Sequence, residues 1–183
     1  PVKLRVGPLN IASQAAAWAR AVRDDLRCEA STLAFDGPVA RRLKGRYRAG
    51  VNDRADDSLP HYQLSPSWAR RLVAQRYFRA TTHFLNEGNT ATVGDPRRSR
   101  FTDEAAWFRS RGISTAVVFH GSDARDPDRS MESDPHSFFH FAPPQLVERL
   151  RRTSLENRSA VSGHDFPVFV TTPDMLAHVE DSR

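Results

Sequence analysis

A histidine, a serine and an aspartate fall within four positions at His120-Gly121-Ser122-Asp123, with Arg125 two residues on. Near neutral pH an imidazole can take or give a proton or hydrogen-bond a hydroxyl, and a carboxylate three residues later can fix its tautomer or bind a second hydroxyl. Gly121 leaves room for a ligand to approach the backbone, while Ser122 and Arg125 add a hydroxyl and a cation for holding one. The pattern G-x-S-x-G is absent, so a serine nucleophile is not indicated. His136 and His140 have the spacing of helical neighbours, yet Pro135 and the aromatics around them suit a packed or surface loop better than a metal centre.

Two further stretches carry polar chemistry. Glu87-Gly88 closes a short apolar run, and its carboxylate has two open roles, ligand contact or pairing with one of the many arginines. Gly7-Pro8-Leu9-Asn10-Ile11-Ala12-Ser13 is a strand-to-helix turn in which Gly7, Asn10 and Ala12 are candidates for holding a phosphate or a sugar hydroxyl at a helix start. A tight turn without a ligand is the other reading. Neither G-x-G-x-x-G nor a Walker sequence occurs, which disfavours a dinucleotide site.

The elements that must position these groups alternate along the chain. Residues 2–6 read as a first strand, and Ser13 caps a helix over 14–27 with Ala16, Ala19, Val22 and Leu26 on its apolar face. Residues 28–35 read as a second strand, and 38–66 as a long polar excursion. A helix then runs to about residue 80 with Trp68, Leu72, Val73 and Phe78, followed by a third strand over 82–87. Thr102, Asp103 and Glu104 start a helix that Gly112 closes. The nearly continuous apolar run 113–119 reads as the central strand, ending at His120. Residues 128–141 read as irregular, a long helix starts at Pro143-Pro144, and 167–171 is a fifth strand before a short helical turn at 172–176. This alternation predicts an α/β fold, a doubly wound parallel sheet of about five strands in the order 3-2-1-4-5. In that order the loops after strands one and four are neighbours at the switch point.

The 183 residues suit one domain, and with a single cysteine, Cys28, no internal disulfide can form, which points to the cytoplasm. The sequence starts at Pro1, directly before a strand, and reads as an excised or processed chain. The formal net charge is +5, but of 27 basic residues only Lys3 and Lys44 are lysine, and the arginines are spread over most segments. Aromatics do not interleave with them as a stacking platform requires, so nucleic acid is not the expected partner. Arg41, Arg42, Arg46 and Arg48 in the polar excursion are a candidate contact with an anionic acceptor or membrane surface, or a solvated loop.

The segments Leu4-Arg5-Val6-Gly7-Pro8-Leu9-Asn10-Ile11-Ala12-Ser13-Gln14, Trp18-Ala19-Arg20-Ala21, Glu87-Gly88, His120-Gly121-Ser122-Asp123-Ala124-Arg125-Asp126-Pro127 and Thr172-Pro173-Asp174-Met175-Leu176 together resemble a known family. They are similar to the amino-terminal Rossmann-like domain of GT-B glycosyltransferases, in the family-4-like retaining branch. The resemblance spans nearly the whole chain. It implies a two-domain enzyme in which a second domain, absent from this sequence, binds most of the nucleotide-sugar donor, while this domain supplies much of the acceptor site. It further implies that His120 lies near the reacting sugar, that the loop of Gly7 to Ala12 faces the donor diphosphate or the acceptor, and that no metal or other cofactor is obligatory. The first loop departs from many relatives in lacking paired glycines. The alternative expectation is a stand-alone Rossmann-like module that binds a small anionic or carbohydrate ligand without catalysis.

Overall fold

The computed structural model describes residues 1–9, 13–36, 55–60, 67–95 and 98–180. Its strands are β1 (Lys3–Gly7), β2 (Glu29–Asp36), β3 (Asp57–Pro60), β4 (His83–Glu87), β5 (Ser114–Phe119) and β6 (Val168–Val170). The helices are α1 (Gln14–Leu26), α2 (Ser67–Phe78), α3 (Ala105–Arg109), α4 (Pro127–Ser133), α5 (Pro144–Ser162) and α6 (Leu176–Glu180). The sheet order is β3-β2-β1-β4-β5-β6, and β1 pairs in parallel with β2 and β4, β2 with β3, and β5 with β6. This is a parallel α/β sheet of Rossmann-like kind. No helix among the described residues is long and apolar enough to cross a membrane.

The expected strand order is corrected in two ways. The strand read third in the sequence, β4, lies beside β1, with Leu4 opposite His83 and Gly7 opposite Asn86. Since β2 occupies the other side of β1, the strand that ends at His120 does not adjoin β1. Nor is it the sheet centre, being fifth of six. The outer place beside β2 belongs to β3, inside the supposed polar excursion, with Leu33 opposite Asp57 and Asp36 opposite Pro60. Leu59 of that strand is fully buried, and it is the single aliphatic side chain in Asp57–Pro60. What holds it is polar. The Asp56 carboxylate accepts from the Thr32 amide at 2.7 Å and the Thr32 hydroxyl at 2.9 Å, and Asp57 pairs with Arg5 at 2.5 Å.

The chain forms two compact units, Pro1–Ala116 and Val117–Arg183, divided within β5. In the first unit, Val6, Ala15, Ala19 and Ala30 form one cluster where α1 lies on β1 and β2. Small residues on α1 let its axis come close to the sheet. Leu26, expected on that face, is 67% exposed, because the helix ends there with Arg27 in the left-handed region. Ser13 makes no side-chain cap bond. A second cluster is aromatic. Phe84 of β4 meets Phe78 of α2 at 4.9 Å edge-on and Phe108 of α3 at 5.1 Å stacked, with Phe101 at 5.7 Å. Each such ring, buried almost completely, contributes roughly 1.5–3 kcal/mol of transfer free energy.

In the second unit, Val117, Val118 and Phe119 are buried and pair with Val168, Phe169 and Val170. Val147 and Val161 are the buried apolar residues of α5, while Leu155 is exposed. The stretch expected to be irregular holds α4, started by Pro127 in its first turn and capped by the Asp126 carboxylate, which accepts from the Asp128 amide at 3.0 Å.

Candidate functional site

Within the first unit, the carboxyl ends of β1 and β4 bring Gly7 and Glu87 together. Glu87 is fully buried, and its Oε2 accepts the Leu9 amide at 3.0 Å, so the carboxylate ties down the loop that leaves β1. Gly7 is buried for a packing reason. A Cβ there would lie 2.1 Å from the Leu33 carbonyl oxygen of β2, so the neighbouring backbone, rather than a ligand, accounts for the glycine. Asn10 and Ala12, the other candidates in this loop, lie outside the described residues, as do Arg41, Arg42, Arg46 and Arg48.

Past β4 the chain builds a loop held by buried polar side chains. Asn86, fully buried, donates through Nδ2 to the Thr90 carbonyl at 2.8 Å and to the Thr92 hydroxyl at 3.2 Å. Asn89, at φ 56°, accepts the Thr102 amide on its side-chain oxygen at 3.0 Å. At the middle of the loop is the Glu104 carboxylate, which accepts the amides of Thr92 at 2.7 Å, Val93 at 2.9 Å and Gly94. Burial raises its pKa above the ordinary carboxylate value, and the three amide bonds only partly offset that. The sequence suggested Glu104 as a first-turn acid of a helix. The signal that points elsewhere is the glycine at 94, where a Cβ would meet Ser99 Oγ at 2.5 Å and Glu104 Oε1 at 2.7 Å.

Within the second unit, the loop after β5 holds His120, Gly121, Ser122, Asp123 and Arg125. The Asp123 carboxylate accepts the His120 amide at 3.0 Å and the Gly121 amide at 2.8 Å, closing a tight turn. These bonds run to the backbone, so the expected role of fixing the imidazole tautomer gives way to one of holding the loop. Asn157 of α5 donates to the Asp123 carbonyl at 2.7 Å, and the Thr171 hydroxyl donates to the His120 carbonyl at 3.0 Å. Both ring nitrogens of His120 are shielded from solvent. Ser122 is exposed, and the space beside Gly121 is open, with nothing within 4 Å of where a Cβ would stand. Arg125 is paired with Asp174 at 2.5 Å, which lies in the turn before α6.

The same loop is anchored at its far end. The Asp126 amide donates to His178 Nδ1 at 3.2 Å, and Arg158 donates to the Asp126 carboxylate at 2.7 Å. His178 is 6% exposed; burial first, then the charges of Arg129 and Arg125, lower its pKa, which suits the neutral ring that this bond needs. Asp128 and Arg151 form a two-point pair at 2.6 and 2.7 Å that joins α4 to α5 and holds the carboxyl below its usual range.

A pocket of about 510 Å³ lies at the opposite, amino-terminal ends of β1 and β2, lined in part by Lys3, Arg5, Arg23, Arg27 and Glu29. Three of its cations are already paired, Lys3 with Glu29 at 2.9 Å, Arg5 with Asp57 at 2.5 Å and Arg23 with Asp56 at 3.7 Å. In parallel α/β sheets ligands bind beyond the carboxyl ends of the strands, so the two loop systems are better candidates than this pocket. In comparisons with protein-family models, with curated proteins and with solved structures, nothing matches the chain.

Proposed function

We propose that this chain is the acceptor-side, amino-terminal half of a GT-B glycosyltransferase, which moves a sugar from a nucleotide-sugar donor to an acceptor. In this reading a second α/β domain of the same protein anchors the donor. The observation that supports it is the loop after β5, where a histidine ends an apolar parallel strand and its backbone is fixed on all sides. Asp123 holds the His120 and Gly121 amides, Thr171 holds the His120 carbonyl, and the space at Gly121 stays open. A preorganised histidine shielded from water suits group transfer to an acceptor other than water, since water competes for a reactive sugar centre. His120 is then the catalytic residue and Asp123 a positioning residue.

The test has two stages. The reading frame past Arg183 should encode a second α/β domain, and the longer protein should transfer a radiolabelled sugar from a nucleotide-sugar donor. His120→Ala in that protein should lower kcat by about 10²-fold at matched folded fraction, with a smaller effect on donor binding. Full turnover by a folded His120→Ala variant makes His120 a structural residue. A stop codon after Arg183, with carbohydrate or anion binding and no transfer, favours the stand-alone binding module.

A further inference from the structure

Among the described residues, the helix α2 is packed through one face. Ala74 and Phe78 are buried, and the Phe78 ring meets Phe84 at 4.9 Å and Phe108 at 5.0 Å, which fixes the rotation of the helix about its axis. In the sequence Trp68, Leu72, Val73 and Phe78 mark the helix without saying which face packs. The structure leaves Trp68 65% and Leu72 56% exposed. Four residues apart, they lie one above the other on the outside of the helix. Arg71, Arg76 and Arg79 are exposed around and beyond them, and none of the three makes an ion pair among the described residues. From residue 67 to residue 82 the sequence contains no acidic residue.

A tryptophan and a leucine displayed together among arginines, on a stretch that carries no acidic residue of its own, are complementary to a surface that is apolar beneath and anionic above. A nucleic acid would also meet arginines and a tryptophan. Leu72 decides between the two, because an aliphatic side chain gains from hydrocarbon and offers no face for a base to stack on. We propose that the outward face of α2 docks on an anionic lipid bilayer, with Trp68 and Leu72 entering the boundary between headgroups and acyl chains and Arg71, Arg76 and Arg79 meeting lipid phosphates. The proposal is independent of the sugar-transfer reading.

Co-sedimentation of the full chain with phosphatidylcholine vesicles, and with vesicles that also contain phosphatidylglycerol, tests it. Binding to the anionic vesicles should exceed binding to neutral ones by about tenfold or more and weaken as salt is raised. Trp68→Ser with Leu72→Ser should reduce anionic binding about tenfold. Arg71→Glu, Arg76→Glu and Arg79→Glu together should remove the anionic preference. All five side chains point outward, so circular-dichroism melts should be unchanged; if the apolar pair melts early, the arginine variant gives the answer. Equal binding to neutral vesicles, binding to a single-stranded oligonucleotide in place of vesicles, or no binding at all would overturn the proposal. So would binding that survives every α2 variant and is lost on changing Arg41, Arg42, Arg46 and Arg48 to Gln.

Discussion

The loops that follow β4 and β5 are both built around a carboxylate that accepts backbone amides, and they differ in where that carboxylate comes from. Glu104 reaches back ten to twelve residues to Thr92, Val93 and Gly94 and is 7% exposed. Asp123 reaches back only two or three residues to Gly121 and His120, and it remains partly exposed. A distant, buried acceptor makes the loop part of the core, because three amides, those of Thr92 and Val93 buried, depend on one side chain. A local acceptor shapes the loop without burying it, which leaves Ser122 exposed and the space at Gly121 open. Stability is therefore expected to concentrate in the first loop, and freedom to meet a ligand in the second.

The sharpest break of that contrast is Glu104→Ala. It leaves two buried amides and one half-buried amide without their acceptor and should cost about 3–5 kcal/mol, seen as a lower urea midpoint with little change in slope. A loss below about 1 kcal/mol would mean that the loop readily finds other partners. Next come the two glycines. Gly94→Ala pushes a Cβ against Ser99 and Glu104 and should cost about 1–3 kcal/mol, while Gly121→Ala should stay within about 0.5 kcal/mol of the parent. Equal melting temperatures for the two variants would erase the distinction between a packed and an open loop. If the sugar-transfer reading holds, Gly121→Ala should nevertheless slow turnover in the longer protein, since the added methyl occupies the open space.

Asp123→Ala should cost about 1 kcal/mol, the scale of a lost cap, and Asp123→Asn less, because the amide oxygen still accepts. Hydrogen exchange at the His120 and Gly121 amides should accelerate in the alanine variant and not at Thr92 or Val93. The smallest expected effect is a pH dependence at the far end of the β5 loop. The pKa of His178 is lowered on folding from its ordinary 6.5, so the unfolded chain takes up the proton first. The stability that His178 contributes is present above pH 6.5 and is lost as pH falls from there toward the lowered folded value. Glu104 acts in the opposite sense. Its raised pKa makes ionisation costly, so its contribution declines as pH rises from the ordinary carboxylate value of 4.5 through the raised one. Urea midpoints of His178→Asn and of the parent should converge in mild acid and differ above neutrality.

How much of this was legible in the sequence depended on the distance over which each residue acts. β1, α1, β2, β4, β5, α5 and β6 were marked by apolar runs or helical spacing within their own segments. β3 was not, since it is anchored by Thr32 and Arg5, residues 24 and 52 positions from their partners Asp56 and Asp57. Overlooking it also displaced the strand order, because the place beside β2 was given to β4. At the site, a carboxylate three residues from His120 was visible, and its preference for backbone amides over the imidazole was not. Glu104 was invisible as a loop acceptor because a helix-start acid and a buried acceptor look alike until the loop folds over them. Trp68 and Leu72 have the four-residue spacing of helical neighbours, but spacing alone does not say which side of a helix the sheet will cover.

The bond from Thr171 to the His120 carbonyl spans 51 residues, and it has a consequence for how the chain is made. On the ribosome His120 emerges well before Thr171, by about 3–10 s at ordinary elongation rates. During that interval the Asp123 turn can already close, since it needs only its own few residues. The carbonyl of His120 and the pairing of Val117 to Phe119 with β6 must wait for synthesis to reach Val168–Val170 and the residue after it. A nascent chain stalled before residue 167 would thus carry a shaped but unbraced histidine loop, and protease protection there should arrive in a single late step as β6 is released.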